Sequence, residues 1–177
     1  KDLTYKLNSF LGKNILIKEI REVSKNAHAR FDATLREYKY HITTIKDVFN
    51  IDTKFYFSKK LDFNEIDRAI GIIKKNKNFK SFCRTKTDVT NFECIIHDFK
   101  YEITDSELIF TISANRFLRN MVRSIIGTIL EIGQFKISND DLKEIINKSD
   151  RIYAGPSVPA HGLYLSKVKY PKEIFIQ

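Results

Sequence analysis

Leu3, Leu7, Phe10 and Leu11 recur at helical spacing and Gly12 follows as a stop, so the chain is expected to open on a short helix. Ile15, Ile17 and Ile20 then predict a strand through about Val23, and residues 24 to 32 read as a loop. Tyr38, Tyr40 and Ile42 alternate within a strand predicted from Ala33 to about Thr44. Residues 45 to 62 are polar with scattered aromatics and read as a long connection. Ile66, Ala69, Ile70 and Ile73 share one stripe of a helix expected from Phe63 to about Lys77. Two strands follow, Asn91 to Tyr101 and Glu107 to Ala114, with Asp105-Ser106 as the hairpin turn between them.

The strongest helical pattern runs from Arg116 to about Ile132, where Phe117, Leu118, Met121, Val122, Ile125, Ile129 and Ile132 form a broad apolar face closed by Gly133. Ser138 is placed to cap a further helix through Asn147. Gly155, Pro156 and Pro159 make a loop of residues 151 to 160, and Leu163, Leu165 and Val168 mark a last strand closed by Pro171. Hairpin-joined strands in irregular alternation with helices predict an α+β fold, a mostly antiparallel sheet with helices packed on it.

The chain has 177 residues, of which 42% are hydrophobic, enough for a real core. No apolar run approaches the ~20 residues that span a membrane. Cys83 and Cys94 are the only cysteines and form no Cys-x-x-Cys, so neither a disulfide framework nor a cysteine zinc site is expected. That usage fits a reducing, cytoplasmic setting. Met121 is the only methionine, and Lys1 runs at once into patterned sequence, as expected of a piece of a longer protein.

Lysine and arginine total 31 against 22 acids, a net charge of +9 that suits a polyanionic partner. The charge is uneven. Lys74, Lys75, Lys77, Lys80, Arg84 and Lys86 form one acid-free stretch, most simply a solvated face. Arg116, Arg119 and Arg123 form another. On a helix at about 100° per residue they fall within about 60° of one another, either as an exposed basic face or as a stripe along a nucleic-acid cleft. Arg123, flanked by Ile126 and Leu130, would be partly enclosed and would then need a carboxylate or phosphate partner.

Standard catalytic signatures are missing: the six glycines form no phosphate loop, and His28, His41, His97 and His161 are widely spaced. The strand Arg36-Glu37-Tyr38-Lys39-Tyr40 is the other feature of note. Its alternating tyrosines are most simply packing residues, and alternatively a platform for a flipped base beside phosphate-holding arginines.

Three segments carry a resemblance. His28-Ala29-Arg30-Phe31-Asp32-Ala33 with Arg36-Glu37-Tyr38-Lys39-Tyr40 resembles the F-H-A-R-F-x-A-x-x-R-x-Y-x-Y segment of the tRNA pseudouridine synthase A family. Ala114 to Arg123, with Gly127 and Gly133, is similar to its A-x-x-F-L-R-x-M-V-R-x-I-x-G segment. Asp150-Arg151, Ala154-Gly155, Pro159-Ala160, Gly162-Leu163-Tyr164-Leu165 and Tyr170-Pro171 resemble its closing segment. All three stand in the family's order.

The resemblance implies a pseudouridine-synthase-like fold and a cytoplasmic homodimer that isomerises uridine in the anticodon stem-loop of tRNA. It implies no metal or organic cofactor and no membrane. Tyr38 matches the active-site tyrosine that packs on the target base, and Arg123 the arginine that pairs with the catalytic aspartate. Arg30 and Arg36 match basic positions lining the cleft, with Arg116 and Arg119 as further RNA contacts, and Leu163 matches an apolar residue of the uracil wall. The family's aspartate lies in an R-T-D-x-G-x-H-A segment that this sequence does not contain. Arg84-Thr85-Lys86-Thr87-Asp88 lacks its glycine and histidine, so Asp88 is given no catalytic role. Residues 1–50 would then lead from an N-terminal half into the central sheet, with 51–177 as the catalytic subdomain. The rival expectation is a non-catalytic RNA-binding domain with the same fold.

Overall fold

The computed structural model describes residues 2–85 and 89–176; Lys86 and Asp88 lie outside them. The chain divides into two compact units, Lys1–Ala33 with Tyr170–Gln177, and Thr34–Lys169.

In the first unit, helix α1 (Asp2–Phe10) forms as its spacing predicts. The strand expected over residues 15 to 23 does not. Ile15, Leu16 and Ile20 are exposed, and the only pairing among the described residues of this stretch is a single bridge from Val23 to Phe175. The reason is local. The Asn8 amide donates to the Ile17 carbonyl and its oxygen accepts from the Ile17 N–H, both at 2.8 Å, so a side chain takes the groups that a strand would pair.

The second unit is an α+β domain with a five-stranded mixed sheet. Strand β1 (Leu35–Thr43) is central. On one side it pairs antiparallel with β4 (Glu107–Ala114), which pairs antiparallel with β3 (Ile96–Ile103). Its other edge is shared in succession: β5 (Leu163–Lys169) runs antiparallel along residues 35 to 40, and β2 (Phe55–Tyr56) runs parallel at 42 and 43. β2 falls inside the segment read as connection, where Phe55 and Tyr56 supply one short pairing. β3 begins later than expected because the 91 to 95 backbone is already committed. Asn91 Oδ1 accepts from Glu93 N, the Lys77 carbonyl from Cys94 N, and Asn115 Oδ1 from Ile95 N.

Helix α2 (Phe63–Lys75) starts at Asp62, whose carboxylate accepts from Glu65 N at 3.0 Å, and buries Ile66, Ala69, Ile70 and Ile73. Helix α4 (Asn139–Lys148) starts at the expected Ser138, within a full capping box with Asp141. Helix α3 is Met121–Gly133 and is almost wholly buried. Its start corrects the predicted Arg116. Asn120 sits at φ 67° in the left-handed region, and residues 115 to 120 cross from β4 as irregular chain. The core lies between sheet and helices: Tyr40, Ile42, Phe99, Phe110 and Ile112 face Ile66, Ile73, Met121, Ile125 and Ile129. Among the described residues no helix is long and apolar enough to cross a membrane.

Candidate functional site

The corrected start of α3 dissolves the arginine stripe. Arg123 stands in the first turn of the helix, while Arg116 and Arg119 belong to the preceding loop. Asn115 organises that loop: its Oδ1 accepts from both Ile95 N and Arg116 N at 2.8 Å, and its carbonyl accepts from Arg36 Nη1 at 2.8 Å. Arg36 and Arg116 therefore meet at one asparagine. Arg116 also lies near the Cys94 thiol, whose pKa burial raises while the Arg116 charge pulls the other way. Arg119 is exposed, and its carbonyl accepts from Arg84 N at 2.9 Å. Arg30 belongs to the first unit, where it is exposed with its guanidinium 5.5 Å from the Phe31 ring.

Tyr38, Tyr40 and Ile42 do share one face of β1, and burial deepens along it. Ile42 and Tyr40 are buried, while Tyr38 is half-buried at the rim with its ring edge-on to Phe117, 5.3 Å between centroids and 83° between planes. The two tyrosines thus separate into different roles. The Tyr40 hydroxyl is inside the fold and donates to the Pro159 carbonyl at 2.8 Å. Burial raises its pKa well above the usual 10.0, with the Arg123 charge pulling the other way. Tyr38, by contrast, has an aromatic neighbour and a partly open position.

Arg123 and Tyr40 dock on adjacent carbonyls of one loop. Arg123 Nε donates to the Val158 carbonyl at 2.6 Å, and the Val158 N–H returns a bond to the Arg123 carbonyl at 3.2 Å. Among the described residues no carboxylate lies within 4.0 Å of the Arg123 guanidinium. A cation in the first turn of a helix also opposes the helix dipole, so this end of α3 is doubly favourable to an anion. Leu163 opens β5 opposite Tyr40 and is half-buried against the same core.

The loop carrying Val158 and Pro159 is pinned by contacts that the sequence patterns did not single out. Asn120 Nδ2 and Arg151 Nη2 both donate to Ser157 Oγ, at 2.6 and 3.0 Å, and Arg151 Nη1 donates to the Ala154 carbonyl at 3.1 Å. The Gly155 N–H donates to Thr128 Oγ1 at 3.0 Å. Gly127 on the helix and Gly155 in the loop permit the approach: a Cβ at Gly127 would sit 1.8 Å from the Pro156 carbonyl oxygen. Glycines facing each other across distant segments were the available signal, and they appear only as members of the resembling segments.

Cys94 is fully buried, and burial pushes its thiol up to about 11, which makes it a small hydrophobe as expected rather than a nucleophile. At neutral pH, iodoacetamide is expected to leave Cys94 unmodified in the folded protein and to alkylate it in guanidinium. Peptide mass spectrometry reads the difference, and rapid native labelling would contradict this burial.

A family model described as tRNA pseudouridine synthase matches residues 76–171. The chain is similar to "tRNA pseudouridine synthase A" of Parabacteroides distasonis, 43% identical over 173 residues, which are 98% of this chain and 69% of that protein. It is similar to the protein of the same name from Bacteroides fragilis, 44% identical over 171 residues, covering 96% of this chain and 68% of that one. A more distant relative is "tRNA pseudouridine synthase A 1" of Bacillus cereus, 37% identical over 166 residues, covering 93% and 67%.

Proposed function

We propose that this chain, which belongs to the tRNA pseudouridine synthase family, forms the larger part of an isomerase converting uridine to pseudouridine in the anticodon stem-loop of tRNA. In this reading the enzyme is cytoplasmic and homodimeric. Residues 1–50 lead from an N-terminal half into the central sheet, and 51–177 form the catalytic subdomain. The observation that carries the reading is the seating of Arg123: a half-buried guanidinium at a helix N-terminus, held on one side by the Val158 carbonyl, next to the carbonyl that accepts from the buried Tyr40 hydroxyl.

The chemistry follows from that arrangement. The target base must leave the stack to be reached. An aspartate from the R-T-D-x-G segment that precedes this region in the family pairs with Arg123, whose charge keeps the carboxylate ionised. It assists cleavage of the bond between C1′ and N1. The freed uracil turns, its C5 bonds to C1′, and the C5 proton leaves while N1 ends protonated. Tyr38 stacks on the base and removes the C5 proton through its hydroxyl. Leu163 and the apolar surface behind it form the wall that keeps the uracil from water. Arg30, Arg36, Arg116 and Arg119 contact the RNA, with Arg36 held in place by the Asn115 carbonyl.

The test is tritium release from tRNA carrying 5-tritiated uridine. Release is expected when the chain is assayed with the aspartate-bearing segment of its parent polypeptide, and none from residues 1–177 alone. Release by residues 1–177 alone would show that another group replaces the aspartate. Salt-sensitive tRNA binding with no release from the complete polypeptide would instead establish a non-catalytic RNA-binding domain.

A further inference from the structure

A second cationic centre lies in the unit Thr34–Lys169, assembled from segments far apart in sequence. An open cleft of about 470 Å³ is lined by Lys80, Arg84, Phe92, Lys148, Arg151 and their neighbours. Lys80 enters from a 3-10 turn, Lys80–Phe82, that rests on α4, where Ser81 Oγ donates to the Ile145 carbonyl at 2.6 Å. Lys148 ends α4, and Arg151 follows it in a second 3-10 turn.

The charges do not balance. Asp150 is the one carboxylate among the described lining residues, and its Oδ1 accepts from Ile152 N at 3.1 Å. Lys148 has a loose i,i+4 partner in Glu144 at 3.5 Å. Arg151 spends its bonds on neutral acceptors, the Ala154 carbonyl and Ser157 Oγ, and keeps its full charge. Lys80 and Arg84 have no carboxylate within 4.0 Å among the described residues. The helix dipole favours a cation at the end of α4 and so explains Lys148, but it explains none of the other three. Aromatic faces accompany the charge: Lys80 Nζ is 5.6 Å from the Phe92 ring centroid and Lys148 Nζ is 4.5 Å from that of Tyr153. Gathered cations with ring faces and little acid match what an RNA backbone requires, phosphate neutralisation with stacking surfaces beside it.

We infer that this cleft is a second RNA-contact site, in which Lys80, Arg84, Lys148 and Arg151 hold phosphodiesters of the same tRNA outside its reacting uridine. The inference rests on the proposed tRNA substrate. It places the binding strength of these residues in tRNA affinity and not in the chemical step.

The experiment compares tRNA binding by the wild-type protein and by the triple variant Lys80→Ala/Arg84→Ala/Lys148→Ala across a salt series. All three side chains are exposed, so the fold is expected to survive, with circular dichroism as the check. The variant should bind about tenfold or more weakly near 0.1 M salt, and the slope of log affinity against log salt should fall by about 2 to 3. At saturating tRNA its turnover in the complete enzyme should equal wild type. Arg84→Gln alone should lose about two- to threefold and keeps the test open if the triple variant misfolds. Wild-type affinity and slope in these variants would overturn the second site while leaving the proposed isomerase intact. Equal competition by inorganic phosphate and by tRNA at matched ionic strength would make the cleft a free-anion site and overturn RNA contact. Absence of salt-dependent tRNA binding in the wild type would sink the proposed function and this inference together.

Discussion

Tyr38→Phe is expected to leave tRNA affinity within about twofold of wild type and to cut turnover by about 10²- to 10⁴-fold, the range typical of losing a general base. The phenyl ring keeps the edge-on contact with Phe117 and the stacking face, and β1 keeps its register with Ile112 and Leu165, so binding persists. Only the hydroxyl goes. Tyr40 cannot stand in for it, because its own hydroxyl is buried on the Pro159 carbonyl. The measurement is tritium release under saturating tRNA, paired with filter binding, in the complete enzyme. A variant that turned over at the wild-type rate would reduce Tyr38 to a packing residue.

Gly127→Ala should be the most damaging small substitution. The added methyl would lie 1.8 Å from the Pro156 oxygen and 3.0 Å from its carbonyl carbon. These are backbone atoms with no rotamer to yield, so helix and loop must separate. Overpacking of this kind typically costs about 1–3 kcal/mol. The separation acts where Arg123 meets Val158, so turnover is expected to fall together with stability, by about 10- to 100-fold for a displacement near 1 Å. Gly71→Ala is the internal control. It lies in α2 with nothing within 4 Å of the new methyl, and helix propensity alone should stabilise the fold by about 0.5–1 kcal/mol. Thermal denaturation of the pair decides the matter. Equal melting of Gly127→Ala and wild type would show that the loop does not dock on the helix there.

The same contacts explain which parts of the site could be read in advance. Tyr38, Arg123 and Leu163 stand out as candidates through resemblance, because they sit inside recognisable segments. Periodicity alone left Tyr38 as a packing residue and Arg123 as one of three helical arginines. The helical reading of Arg116 and Arg119 failed because the apolar pattern of Phe117, Leu118, Met121 and Val122 suits a helix equally well with or without its first turn. What decides the start is Asn120 in the left-handed region and the Asn115 side chain holding two backbone N–H groups, one of them from Ile95 just ahead of β3. Similarly, Ile15, Ile17 and Ile20 alternate as a strand would, yet Asn8 takes both polar groups of Ile17 before any strand can.

By itself, then, the amino-acid order determined the α+β class, the helices whose apolar stripes and caps are local, and the Asp105-Ser106 hairpin, because each depends on residues a few positions apart. Tertiary structure alone decided which of two like tyrosines is free, which carbonyl holds Arg123, and which four cations share a cleft. Those outcomes rest on Val158 meeting Arg123, Pro159 meeting Tyr40, and the end of α4 meeting the turn at Lys80. Each contact spans tens of residues, and the energy that selects it comes from burying whole faces of the fold against one another.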